Sequence, residues 1–210
     1  MLKHMLPALL VTFLTLPGWT APIVLFDNLA DTGTGLGLVA GNEWQAQQFS
    51  TGSSGGFLTQ AILSVVEAVP GATIVDIYTS NANEPGTLVG SLLSVGTYSS
   101  TAAQHTYSGS VALAASSAYY VVLRATSGSY AWNFANSSSG SGVGFSSRWA
   151  QSSNAGASWG GGTVNPNKMS LLLEVPDPGA PELNGSGAPL ALSLMAGMLL
   201  GLSSRRRVQT

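Results

Sequence analysis

Three tryptophans in polar surroundings, one histidine in the body of the chain and a handful of scattered carboxylates are the side chains here with chemistry to offer. Trp149 and Trp159 flank an irregular Ser/Gly/Asn-rich stretch, with Arg148 and Gln151 close by. A flat indole face stacks on the apolar face of a sugar ring, while amide and guanidinium donors take its hydroxyls. Trp149 and Trp159 are therefore the expected glycan contacts. Trp132 alternates with Tyr130 and Phe134 and is expected in a sheet core instead. Glycoside hydrolysis needs two carboxyl groups facing one bond, and Glu43, Glu67, Asp76 and Glu84 are the acids on offer. Asp76 reads as mid-strand and Glu84 precedes Pro85-Gly86 in a turn, so fold roles suffice for both.

His105 would have to serve any Ser-His-Asp triad or histidine metal site. No His-Glu-x-x-His or Ser-x-x-Lys pattern accompanies it, and its Thr/Ser/Gln-rich setting predicts a solvated strand-edge residue. Residues 35–40 satisfy Gly-x-Gly-x-x-Ala, but no βαβ unit follows, so residues 33–41 are expected to form a glycine-laced flexible loop. Zinc lacks ligands. Asp27, Asp31, Asp76 or the Asn81/Asn83/Glu84 turn could give oxygens to a structural Ca²⁺, without the Asp-x-Asp-x-Asp-Gly loop that usually does so. The expectation is no catalytic residue, no cofactor and no metal.

The elements that must position these residues read as strands. Only 8% of the chain is charged, 26 residues are glycine and none is cysteine. Between the two ends, Asp27, Asp31, Glu43, Glu67, Asp76, Glu84 and Glu174 face Arg124, Arg148 and Lys168, a net charge of about −4. Without a basic patch, nucleic-acid binding is excluded. Without disulfides, stability rests on packing and ladder hydrogen bonds. Residues 23–26, 43–50, 57–69, 73–79, 88–95, 105–108, 110–113, 118–125, 130–134 and 169–175 read as strands. Turns are expected at Pro70-Gly71, Asn81–Gly86 and Ser127-Gly128-Ser129, the last closing a hairpin. Such spacing predicts a single antiparallel β-sandwich of jelly-roll type over residues 22–174.

Both ends carry address labels. Lys3 and His4 precede an apolar run from Met5 to Leu16, which predicts a signal peptide over residues 1–21. Residues 175–210 hold Val175-Pro176-Asp177-Pro178, a spacer, an apolar run from Ala188 to Leu202, and Arg205-Arg206-Arg207. The arginines orient the run with its basic end on the cytoplasmic side. The run is 15 residues, short of the ~20 of a comfortable transmembrane helix, which favours a processed signal over a plain anchor.

The blocks Leu25-Phe26-Asp27-Asn28, Ala46 to Gly52, Asp76-Ile77-Tyr78-Thr79-Ser80, Glu84-Pro85-Gly86, and Leu113 through Tyr119-Tyr120-Val121-Val122-Leu123 to Trp132 resemble the bacterial choice-of-anchor R domain proteins. That resemblance implies a secreted β-domain and brings no established activity. The tail resembles the PEP-CTERM class of sorting signals, with Asp177 where the motif has Glu. It implies transient handling at the inner membrane by an exosortase-like protease. The expected function is that of a non-enzymatic protein of the cell surface or extracellular matrix of a Gram-negative bacterium, with weak exopolysaccharide contact. The rivals are a secreted polysaccharide hydrolase using an Asp/Glu pair and a structural module that assembles through a sheet edge.

Overall fold

A computed structural model describes residues 21–176. The leader, and the tail from Asp177 onward with its apolar run and arginine cluster, lie outside the described residues. Among the described residues the chain is all-β, with no helix. The strands are β1 (Ile23–Asp27), β2 (Gly33–Val39), β3 (Trp44–Ser50), β4 (Gly56–Asn81), β5 (Glu84–Val95), β6 (Ala103–Leu113), β7 (Ala118–Ala135), β8 (Trp149–Ser152), β9 (Gly160–Gly162) and β10 (Met169–Glu174). They form one curled antiparallel sheet in the order β1-β10-β4-β7-β3-β8-β9. β2 adds to β7, while β5 and β6 pair with β4 and with each other.

β4 and β7 make the curl. The first half of β4 pairs with β10 and β6, and its second half pairs with β7 and β5. The dipeptide Pro70-Gly71, expected to be a turn, is a bulge inside β4, and Ser127-Gly128-Ser129 is not a hairpin but a bulge inside β7. The two lie against each other, with register shifts between Glu67 and Thr73. A bulge adds residues to one side of a ladder and bends it without ending it. The bend needs glycine on both strands. A Cβ on Gly71 would sit 2.4 Å from the Ser127 carbonyl oxygen, and Gly128 has φ +73. Of the segment read as a loop over residues 33–41, Gly33–Val39 is strand β2, because β7 offers it a free ladder from Tyr130 to Ala135. The residues 105–108 and 110–113 likewise join into one strand, β6.

Alternation then sorts the side chains. Val75 and Ile77 of β4 and Tyr119, Val121 and Leu123 of β7 enter the main core with Leu25, Phe49, Leu63, Tyr107, Trp132 and Leu171. Tyr120 and Val122 point to the opposite face of the same strand and are buried there by a second, smaller cluster. The near-continuous apolar run of β7 is thus buried on both faces, as its composition predicts.

The Ser/Gly stretch after β7 is a built element. Residues 141–144 run along β1, with Asp27 and Ser141 exchanging backbone hydrogen bonds of 2.8 Å and Gly144 N–H donating to Leu25 O at 2.8 Å. The same strap turns to β3, where Gly144 O accepts from Ser50 N–H and Arg148 O from Gln48 N–H, each at 2.9 Å. It therefore ties β1 to β3, which the strand order alone leaves apart. Phe145 packs on Phe26 with ring centroids 4.7 Å apart. Gln47, fully buried, fastens the strap by donating to the Ser146 and Arg148 carbonyls and holds Asn167 N–H at 2.8 Å.

Gly144 decides how close the strap can come, since a Cβ there would stand 1.7 Å from the Ser50 carbonyl oxygen. Gly144→Ala is expected to lower unfolding stability by ~1–3 kcal/mol through overpacking, read from urea melts. An unchanged midpoint would show that the strap does not couple β1 to β3.

Candidate functional site

The outward face of β3, β7 and β4 carries the polar chemistry. Val122 pairs with Ala46 on one side and Asp76 on the other, so one stripe of that face holds Trp44, Ala46, Val122, Arg124, Asp76 and Tyr78. The register brings Arg124 beside Asp76, Nε to Oδ2 at 2.5 Å, and Ser91 of β5 donates to the other carboxylate oxygen at 2.5 Å. Asp76 is 2% exposed and Arg124 30%. The guanidinium carbon of Arg124 sits 5.8 Å from the Trp44 ring centroid, within cation–π range. The Trp44 indole N–H donates to Gly41 O at 3.1 Å, so the ring is fixed from both ends.

Trp159 completes this surface. Its ring centroid lies 6.5 Å from that of Trp44, and it packs on the small outer cluster of Ala46, Tyr120, Val122 and Ala150. It also stands between two hollows. One, of about 160 Å³, is lined by Asn83, Glu84, Arg148, Trp159 and the Gly160-Gly161 backbone, among others. The other, of about 280 Å³, is lined by Glu43, Gln151, Ser153, Ser158 and Trp159. Between the described tryptophans there is a clear division. Trp44, Trp132 and Trp149 each spend the indole N–H on a backbone carbonyl, and Trp159 among the described residues makes no such bond.

The far wall of the first hollow is the β4–β5 hairpin tip. Ala82 and Asn83 have φ +48 and +70, the pair of positive values a two-residue type I′ turn requires. Alanine is not favoured there, and the strain is held by Tyr120, whose hydroxyl donates to Asn83 O at 2.5 Å. Burial pushes the Tyr120 phenol up to about 12, against the opposing pull of Arg148, so it remains a donor at neutral pH.

Of the two expected glycan contacts, Trp159 faces these hollows. Trp149 also lines the first, but its ring packs on Phe134 with centroids 5.6 Å apart and its N–H is tied to Val164 O at 2.7 Å. Trp132 is fully buried in the core. Trp44 is the residue that sequence reading missed. Its place at the head of an alternating strand with Ala46 and Gln48 was the available signal.

The four acids lie in different settings. Asp76 is closed against Arg124, Glu67 accepts from the Tyr130 hydroxyl at 3.3 Å, and Glu43 and Glu84 line separate hollows. The Asp31 carboxylate takes the Ser137 hydroxyl and the Asn136 N–H, bonds that hold its pKa below the usual value despite an opposing cost of burial. Asp27 accepts from Leu29 N–H at 3.0 Å. Among the described residues no three His, Cys, Asp or Glu side chains gather as ion ligands.

His105 is not a solvated edge residue. It is 5% exposed, stacks on Tyr98 at 3.9 Å, meets the edge of Tyr107 at 5.1 Å and bonds Ser94 Oγ through Nε2 at 2.7 Å. The sequence around it is polar because Ser94 and Tyr98 supply the enclosure from β5 and the loop that follows. Burial lowers its pKa from 6.5, opposed by a hydrogen bond with the Thr97 backbone and by the charge of Glu67.

Compared with known proteins, the chain matches no family model, and no curated protein matches it.

Two outcomes follow from this geometry. The folded state resists protonating His105, so the unfolded chain takes up the proton first as pH falls below 6.5. Wild type should lose stability in that window, and His105→Gln should lose less, as read from melting midpoints between neutral and mildly acidic pH. Arg124→Met strands a buried carboxylate and should cost about 3 kcal/mol or more in chemical unfolding, whereas the double change Asp76→Leu, Arg124→Met should recover most of it.

Proposed function

We propose that this chain is an exported, non-enzymatic protein of the bacterial cell surface or extracellular matrix, whose β-domain makes weak contact with polysaccharide. The observation that carries the contact is Trp159, a half-buried indole between two hollows with its N–H unspent. Its neighbour Trp44 and the amide and hydroxyl groups around it add the stacking surface and donors that a sugar chain needs.

The fold reading is a jelly-roll-like β-sandwich in which β4 and β7 pass from one layer to the other at their bulges. The large core cluster and the smaller one on the outer face of β7 support it. Export and sorting rest on the resemblance of the chain to choice-of-anchor R proteins and of its tail to PEP-CTERM signals. The motif starts at Val175, directly after β10 ends at Glu174. Cutting near it by an exosortase-like enzyme would leave every strand of the domain in place. The dispersal of Glu43, Glu67, Asp76 and Glu84 favours this reading over a hydrolase.

A structural module assembling through a sheet edge is the second reading. It is favoured by β2, an uncharged strand paired only to β7, on which Leu36 is 56% and Leu38 51% exposed.

Trp159→Ala is expected to weaken retention on the cell's own exopolysaccharide by roughly 2- to 10-fold, the worth of ~0.5–1.5 kcal/mol of aromatic stacking. The melting midpoint should move by less than about 3 °C, the effect of ~1 kcal/mol in a domain of this size. Equal retention of mutant and wild type would remove polysaccharide contact through this residue.

A further inference from the structure

We propose that the hollow between Arg148, Trp159 and the hairpin tip is a subsite for a carboxylated sugar unit, so that the polysaccharide recognised is a uronic-acid-containing one. This rests on the polysaccharide reading above and narrows it. Arg148 is the cation available. Among the described residues Arg124 is closed on Asp76, and the Lys168 ammonium donates to the Asp31 carbonyl. The Arg148 guanidinium makes no ion pair there. Its backbone is nevertheless fixed three times. The carbonyl accepts from Gln48 N–H at 2.9 Å and Gln47 Nε2 at 2.7 Å, and its N–H donates to Ser146 Oγ at 3.3 Å. A free head on an anchored stem is a donor held ready for an acceptor that the protein does not supply.

The rest of the hollow suits a sugar. Trp159 lines it with a free N–H, and the exposed lining is almost wholly polar. Gly160 and Gly161 form the last strand of the path and pair only with β8, and a Cβ on Gly160 would meet nothing within 4 Å. A ligand can therefore approach the Gly160 backbone closely. At about 160 Å³ the hollow is smaller than the ~300–1,000 Å³ of most small-molecule sites, so it holds one ring or a chain end and not a larger cofactor.

Geometry selects the anion. Glu84 lines the same hollow without closing on Arg148. Glu84 and the net negative body repel any anion, and Arg148 attracts it in the same proportion to its charge, so the choice falls to shape. A single planar carboxylate matches the guanidinium fork, while Glu84 accepts hydroxyls and sets which way round the ring lies.

The test is calorimetric titration of the native protein, purified from its cells, with a short oligogalacturonate and with the neutral methyl ester of the same oligomer. The acid should bind at least about tenfold tighter than the ester, with an affinity that falls as salt is added. Arg148→Gln should reduce acid binding to about the level of the ester with the melting midpoint unchanged, while Arg148→Lys restores part of the difference. Equal binding of acid and ester, or acid binding indifferent to Arg148→Gln, overturns the carboxylate assignment and leaves the polysaccharide reading standing. Binding of neither oligomer by a protein that Trp159 still retains on exopolysaccharide also overturns the assignment alone. Loss of the Trp159 effect removes the broader reading.

Discussion

Val75, Ile77, Val121 and Leu123 face inward while Asp76, Val122 and Arg124 face outward because β4 and β7 hold one register from Thr73 to Thr79, beyond their bulges. A shift of one residue would exchange the two sets, placing the ion pair in the core and the valines in solvent. With no disulfide in the chain, that pairing is what the remaining strands are built on. β3 continues the ladder from β7, β8 from β3 and β9 from β8, so the position of Trp159 follows from it at three removes. The bulges at Pro70-Gly71 and Ser127-Gly128 let the same two strands also serve β10, β6 and β2.

The outer face combines features that a purely structural sheet surface has little use for. An ion pair with one nearly buried partner is a poor source of stability against an apolar pair of the same size. Here it fixes a guanidinium over Trp44, and Trp44 in turn supports Trp159. The strained Ala82-Asn83 tip, held by Tyr120, is the opposite wall of the hollow. Rigid aromatic and backbone surfaces of this kind lose little entropy when a flexible polymer settles on them.

Much of the fold was legible in the residues. The alternation of Thr73 to Thr79 assigns faces correctly, with Asp76 opposite Val75 and Ile77, and the unbroken apolar run of β7 announces burial on both sides. What was not legible depends on partners far away in sequence. Pro70-Gly71 has the composition of a turn, and only the facing Gly128 makes it a bulge. Residues 33–39 have the composition of a loop and become a strand because β7 extends a ladder to them. The Ser/Gly strap carries almost no local signal, since its glycines serve close approach to Leu25 and Ser50. For the candidate site, Trp159 reads in the sequence as an aromatic among donors. Trp44 and the uncommitted Arg148 were not legible, because their availability depends on which hydrogen bonds the fold has already used. His105 shows the same limit in reverse, with polar neighbours in sequence and aromatic ones in space.

In the proposed function the β8–β9 end of the outer face is the surface that meets polysaccharide. Hydrogen exchange of the native protein, with and without its own exopolysaccharide, tests that contact directly. Contact there should slow exchange only in the backbone around Gly160-Gly161, the loop before Trp159 and the Ala82–Glu84 tip. Slowing along β2 instead, or no change at any of these segments, would contradict it.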